Sequence, residues 1–287
     1  MGRRTMFGLT LGLGVFGTAA ARGPAAEAPG TVRRWGVDYG PATDPTLART
    51  MDLLVLEPHH PRPIAPLRGP DSRLLGYVSL GEVERSRPYL SMLDKAGALR
   101  APNPHWPDAR HVDLRHPAWR TVLLDRVVPE ILALGFDGIF MDTLDNAEAM
   151  ERDDPQSAKG MVAAGGALVA ALRARFPTIA LMLNRGYAAL PDAAPHIDYL
   201  LGESMASRWS FADRRYEMLS DSDWTWQAER LRAAKRRNPA LGLMTLDYWD
   251  PTDRTKVAAL YARERAAGFQ PYVATLALDR LIPEPRG

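Results

Sequence analysis

Two carboxylates three residues apart close the stretch Gly135-Phe-Asp-Gly-Ile-Phe-Met-Asp-Thr-Leu-Asp-Asn146. Asp142 and Asp145 follow the apolar run Ile139-Phe140-Met141, which itself follows a glycine turn. A short run of this kind reads as a buried parallel strand, and polar residues at its C-terminal end face the mouth of an α/β fold. In a (β/α)8 barrel that mouth is where catalytic groups sit. Asp145 and Asn146 also suit an Asx-type turn that caps the next helix, which is a structural use only.

The same pattern recurs along the chain. Apolar runs at 34–39, 53–56, 74–80, 179–183, 197–201, 241–246 and 270–276 join the stretch around Met141 to make eight expected strands. Their C-terminal ends carry Asp38 and Tyr39, Glu57, Glu82 and Glu84 with Arg87, Asn184 and Tyr187, Glu203, and Asp247 with Trp249. On one barrel rim these carboxylates would repel one another unless some are protonated, paired or facing a cation. Driving paired carboxyl pKa values apart is how one site obtains an acid and a base at neutral pH. Tyr39, Tyr187 and Trp249 add flat apolar platforms of the kind that stack on sugar rings. Acids and aromatics on one rim point to glycosidic-bond chemistry. Simpler uses exist for single members: Glu57 before Pro58 suits a turn, and Arg87 suits an ion pair with Glu84 that holds a loop.

The elements that must position these groups are helices between the strands. Pro117 to Leu134 sets Trp119, Val122, Leu123, Val127, Ile131 and Leu134 on one face at near-3.6 spacing. Pro155–Phe176 and Asp253–Ala267 read the same way, with Phe176-Pro177 and Gly268 as stops. Alternating strands and helices predict a parallel sheet, and eight of them over 287 residues fit one (β/α)8 TIM barrel of ~250 residues. No Gly-x-Gly-x-x-Gly or phosphate-loop pattern follows any strand, which weakens nucleotide-binding readings.

Composition excludes other chemistries. A net charge of +2, with 46% hydrophobic and 24% charged residues, is an ordinary globular balance and argues against a nucleic-acid surface. The short basic run Lys235-Arg236-Arg237 suits the last turn of a helix. The chain has no cysteine, so disulfides, cysteine zinc sites, a thiol nucleophile and a lipoprotein anchor are all ruled out. The histidines at 59, 60, 105, 111 and 116 show no ligand spacing, so no metal and no cofactor is expected. A serine nucleophile lacks its Gly-x-Ser-x-Gly elbow.

Arg3-Arg4, the apolar stretch Met6–Phe16 and Ala19-Ala20-Ala21 read as a secretory signal over residues 1–21. The apolar part is too short for a permanent membrane anchor. Residues 22–31 read as a flexible leader and 32–287 as a single domain. The expected protein is therefore exported, periplasmic or secreted.

Several motifs together resemble the endo-α-1,4-polygalactosaminidase superfamily. They are Gly135–Asp145, Gly76-Tyr-Val-Ser-Leu-Gly-Glu-Val-Glu84, Asn103-Pro-His-Trp106, Val112–Trp119, Asn184-Arg-Gly-Tyr187 and the strand end at Glu203. This superfamily holds glycoside hydrolase family 114 and the related family 166, which includes the hydrolase domain of a Pel polysaccharide-processing protein. The resemblance covers most of the chain after the leader. It implies a barrel that cuts α-1,4-linked galactosamine-rich polymer internally, with an acidic pair at Asp142 and Glu203. Asp145 shares the motif and competes for the role of Asp142. Asp142 is expected to act as nucleophile or charge stabiliser and Glu203 as general acid/base. Asp38, Tyr39, Glu84, Arg87, Asn184, Tyr187, Asp247 and Trp249 are expected to position substrate. A partly deacetylated polymer is cationic, and a carboxylate-lined cleft would attract it. A sugar-binding barrel without catalysis is one competing reading, and a barrel enzyme of different chemistry, such as a lyase or a hydrolase of a phosphorylated substrate, is the other.

Overall fold

Eight of the apolar runs stand side by side as parallel strands in the computed structural model, which describes residues 32–59, 63–104 and 106–285. The readings of a signal at 1–21 and a leader at 22–31, and of His60 and His105, lie outside these residues. In chain order the strands are β1 (Trp35–Asp38), β2 (Leu53–Leu56), β3 (Arg73–Ser79), β4 (Glu82–Glu84), β5 (Leu99–Pro102), β6 (Ala109–Val112), β7 (Gly138–Asp142), β8 (Ala180–Asn184), β9 (Tyr199–Glu203), β10 (Ser207–Ser210), β11 (Arg215–Met218), β12 (Gly242–Tyr248) and β13 (Gln270–Ala274). The barrel order is β1-β2-β3-β7-β8-β9-β12-β13, each pair parallel. All eight expected strands are present with ends within two residues of those read from the sequence.

The barrel closes between β1 and β13 through side chains and loops. Trp35 donates its indole N–H to the Gln270 carbonyl at 2.9 Å, and its ring lies 5.5 Å from that of Tyr272. Beyond the strands, Tyr39 N–H donates to Leu278 O at 2.7 Å. Gly40 sits against this crossing so closely that a Cβ there would lie 1.9 Å from the Asp279 carbonyl oxygen. Only glycine fits such an approach.

Helices cover the outside, as burial of strand faces requires. The run 117–133 is α-helical at Pro117–Val122 and Val128–Ala133, with a π turn at Leu123–Val127 between them. Trp119 is fully buried and donates to Leu80 O at 2.8 Å, fixing this helix to the end of β3. Leu134, expected on the buried face, is exposed because it caps the helix end and the π turn has advanced the face by a residue. The helix expected from Pro155 begins only at Met161 and is preceded by a separate helix, Asn146–Asp153.

Two insertions build up the rim. After β3 the chain forms a three-stranded antiparallel sheet ordered β4-β6-β5. After β9 it forms the β10–β11 hairpin. Neither was legible as strand, since both are short and rich in charged residues.

Candidate active site

Three consecutive barrel strands end on the groups that meet at the mouth. Asp142 ends β7, Asn184 ends β8 and Glu203 ends β9. Each is followed at once by a non-glycine residue in the left-handed region: Thr143 at φ 62°, Arg185 at φ 50° and Ser204 at φ 54°. Such residues carry backbone strain of roughly 1–3 kcal/mol each, which persists where surroundings over-determine it and clusters at functional sites. The turn sends the chain sideways and leaves the last side chain of each strand aimed into the mouth.

The three side chains are bonded directly. Asn184 Nδ2 donates to Asp142 Oδ1 at 2.9 Å and to Glu203 Oε2 at 2.6 Å. Each carboxylate has a second donor on its other oxygen: Tyr77 Oη to Asp142 Oδ2 at 3.1 Å, and Tyr248 Oη to Glu203 Oε1 at 2.6 Å. Burial first, and then the charge of Glu203, push the Asp142 carboxyl up to about 6, against the opposing pull of the Asn184 hydrogen bond. The Asp142 carboxyl therefore keeps its proton above the ordinary carboxyl range. Tyr39 and Tyr77, packed edge to face at 5.2 Å, stay neutral because burial and the nearby carboxylates push both phenols up.

The pair opens into a cleft of about 950 Å³, lined also by Tyr39, Glu57, Tyr77, Glu84, Thr143 and Trp106. Trp106 is 63% exposed at its edge. Under the cleft, Glu82 Oε1 accepts from Asn103 at 2.5 Å and from Asn146 at 2.6 Å, which ties β4 to the loop after β7. Thr143 Oγ1 accepts from Gly81 N at 2.9 Å and shares a 2.7 Å hydrogen bond with Ser79. Two carboxylates on a shared donor, backed by phenols and open to an aromatic-edged cleft, suit acid-assisted cleavage of a glycosidic bond.

The model for glycoside-hydrolase family GH114 matches residues 17–287. The chain belongs to glycoside-hydrolase family GH114. It is a glycoside hydrolase. The glycoside hydrolase domain of PelA from Pseudomonas aeruginosa is 30% identical, with a TM-score of 0.75 over 88% of this chain and 99% of that one. A Deinococcus radiodurans relative described as an uncharacterized protein is 31% identical, over 92% of this chain and 86% of its own. Aspergillus fumigatus Ega3, solved in complex with galactosamine, is 16% identical with a TM-score of 0.66 over 92% of this chain and 100% of that one, a likeness of fold alone.

The remaining expected site residues of this GH114 chain divide by position. Tyr39, Glu84 and Glu57 line the cleft, and Arg87 bridges Glu57 and Glu84 at 3.6 and 3.2 Å. Asp145 lies beside the pair, 3.8 Å from Arg185, with its carboxyl raised by burial and partly offset by that guanidinium. Four expected substrate contacts sit otherwise. Asp38 is fully buried and its Oδ1 accepts from Gly40 N–H at 2.7 Å, turning the chain out of β1. Tyr187 is buried and donates to Gln227, whose own amide donates to Ser204 O, so it braces the peptide after Glu203. Asp247 is buried and its Oδ1 accepts from Ala206 N and Ser207 N, both at 2.7 Å, anchoring the β10–β11 hairpin. Trp249 packs on that hairpin, 6.2 Å from Tyr216. The reason is strand alternation: successive side chains point to opposite faces, and β12 runs on to Tyr248, so Tyr248 takes the inward place expected of Asp247.

Sequence reading overlooked Tyr77, Tyr248 and Gln227. The available signal for the tyrosines was a polar tip in an otherwise apolar strand, since buried phenols seek a partner. Gln227, deep in the helix Asp221–Arg237, gave none. Among the described residues no helix is long and apolar enough to cross a membrane, and no three His, Cys, Asp or Glu side chains cluster as a metal site.

Proposed function

We propose that this protein is an exported endo-acting hydrolase of α-1,4-linked galactosamine and N-acetylgalactosamine polymer, with Asp142 and Glu203 as its catalytic pair. The observation that carries the reading is the single Asn184 amide nitrogen bonded to both carboxylates. Those two bonds hold the bonded oxygens no more than about 5.5 Å apart, a bound that favours the close carboxyl spacing of retaining glycosidases, roughly 5–5.5 Å, over the roughly 6.5–9.5 Å of inverting ones.

In this reading Asp142 attacks the anomeric carbon. Glu203, one methylene longer, acts as the acid and protonates the departing glycosidic oxygen. The bond from carbon to that oxygen breaks as an ester to Asp142 forms. Water then gives its proton to Glu203, attacks the anomeric carbon and frees Asp142. Asn184 keeps a donor on both groups while charge moves between them.

Ammonium groups of a partly deacetylated polymer suit a cleft that holds Glu57, Glu84, Asp142 and Glu203. The galactosamine bound by Ega3 and the PelA domain's identity with this chain support the same substrate class. The charged and apolar pattern of residues 1–21 supports export.

The test is reducing-end release from partly deacetylated α-1,4-galactosamine polymer by wild type, Asp142→Asn, Glu203→Ala and Asp145→Asn. Release by wild type, near-complete loss in the first two variants and modest loss in Asp145→Asn is expected. Loss in Asp145→Asn equal to that in Asp142→Asn would move the nucleophile to Asp145. Tight polymer retention without release would make the barrel a sugar-binding protein.

A further inference from the structure

The cleft around the acid pair accounts for one side of the rim. Strand β12 lies four places from β3 around the eight-stranded barrel, so its end stands diametrically opposite the insertion that carries Trp106. There the hairpin presents an aromatic ledge. Trp209 and Tyr216 are cross-strand partners with rings 4.9 Å apart, and Tyr216 is 6.2 Å from Trp249 with their planes tilted by 33°. Phe211, at the hairpin tip just after β10, is 69% exposed.

This ledge is rigidly joined to the catalytic wall. Three successive residues at the end of β12 make the joint. Asp247 pins the root of the hairpin, Tyr248 donates to Glu203, and Trp249 packs against Tyr216. Tyr216 Oη also accepts from Leu276 N at 3.2 Å, past the end of β13. The aromatic surface is thus continuous in structure with the groups that hold Glu203.

Its charge differs from that of the cleft. Lys256 Nζ lies 5.7 Å from the Trp249 ring centroid, Arg214 and Arg215 are exposed on the hairpin, and Trp249 Nε1 donates to Asp253. Asp213, Glu217 and Asp253 balance these cations, so an ammonium sugar finds no net attraction here, whereas a neutral sugar can lay its apolar face on the rings and turn its hydroxyls to Lys256 and Asp253.

Resting on the galactosamine reading above, we infer that the Trp209–Tyr216–Trp249 ledge is a distal saccharide subsite for an uncharged, N-acetylated hexosamine unit of the polymer. The enzyme then reads two properties of one chain: cationic units at the acidic cleft and acetylated units at the ledge. Blocks bearing both are its preferred substrate.

The experiment compares kcat/KM on partly acetylated and fully deacetylated α-1,4-galactosamine polymers of matched length, for wild type, Trp209→Ala/Phe211→Ala and the milder Phe211→Ser. Thermal melts check that each variant is folded, and Phe211→Ser, at an exposed tip, stands in if the double variant is not. A wild-type preference of about tenfold for the partly acetylated polymer, falling to near unity in the double variant and part-way in Phe211→Ser, is expected. An unchanged preference in folded variants overturns the ledge while leaving the catalytic reading intact. Should wild type cut neither polymer, gel retardation of Glu203→Gln by the same polymers decides. Retardation that depends on acetylation and is lost with Trp209→Ala/Phe211→Ala upholds the ledge and removes only catalysis. Its absence overturns both.

Discussion

Tyr248 donates its phenolic hydrogen to Glu203 Oε1 at 2.6 Å, across the seam where β9 and β12 pair in parallel register. The phenol cannot ionise there, because burial and the charge of Glu203 push it up. In the proposed cycle, in which Glu203 gains and loses a proton, it remains a fixed donor. Tyr77 stands in the same relation to Asp142.

Removing one of these donors should therefore cost rate more than fold. A hydrogen bond to a charged group is worth about 1.5–3 kcal/mol, so Tyr248→Phe is expected to lower kcat by about 10- to 100-fold. KM and the melting temperature should move little. Steady-state kinetics and a thermal melt check both halves, and an unchanged kcat would remove Tyr248 from the proton-transfer machinery.

Asn184 has a different signature, because it touches both carboxylates. Its hydrogen bond pulls the Asp142 carboxyl down against burial and the charge of Glu203. Asn184→Ala removes that pull, so Asp142 should hold its proton to higher pH. The acidic limb of the kcat/KM profile, expected near pH 6 in wild type from the value of about 6 at the nucleophile Asp142, should move upward while the maximum falls at least 100-fold. A limb that stays in place would show that another group sets it.

Stability should also depend on pH, through groups away from the pair. Burial raises the Asp247 carboxyl to about 6, and burial with the nearby Asp247 charge raises Glu264 to about 7. Folded values above the unfolded ones mean that the native state binds these protons more tightly. Their contribution is fully present below about pH 4 and is lost as pH rises through 6 and 7. Glu264 is fully buried and accepts from Trp224 Nε1 at 2.7 Å, a bond that a glutamine oxygen can also accept. Melts at pH 5 and pH 8 should show a smaller difference in Glu264→Gln than in wild type.

Backbone fit at the rim gives a steric prediction. A Cβ on Gly81 would lie 2.3 Å from the Thr143 carbonyl oxygen, which belongs to the strained peptide just after Asp142. Gly81→Ala should destabilise the protein by about 2–4 kcal/mol, at the severe end for a single substitution, and reduce activity by displacing Asp142. Chemical denaturation measures the first and kinetics the second. Wild-type stability in the variant would mean that the loop yields freely.

The positions of the eight strands and the residues at their ends were legible from the chain alone. Apolar runs such as Leu53–Leu56 and Ala180–Asn184 are buried on both faces, and that need leaves a mark in every residue of the run. Asp142 and Glu203 stood out as charges at the ends of such runs, and the family resemblance joined them as a pair. Tertiary structure alone decided which end residues face the mouth. At a strand end one residue of extension exchanges inward for outward, so Tyr248 points to Glu203 while Asp247 anchors a hairpin. The left-handed turns at Thr143, Arg185 and Ser204 bear no glycine to announce them. Nor does sequence carry the bridge from Asn184 to two carboxylates, one 42 residues before it and one 19 after. It exists because β7, β8 and β9 are neighbours in register, a relation fixed by barrel closure and not by any local pattern.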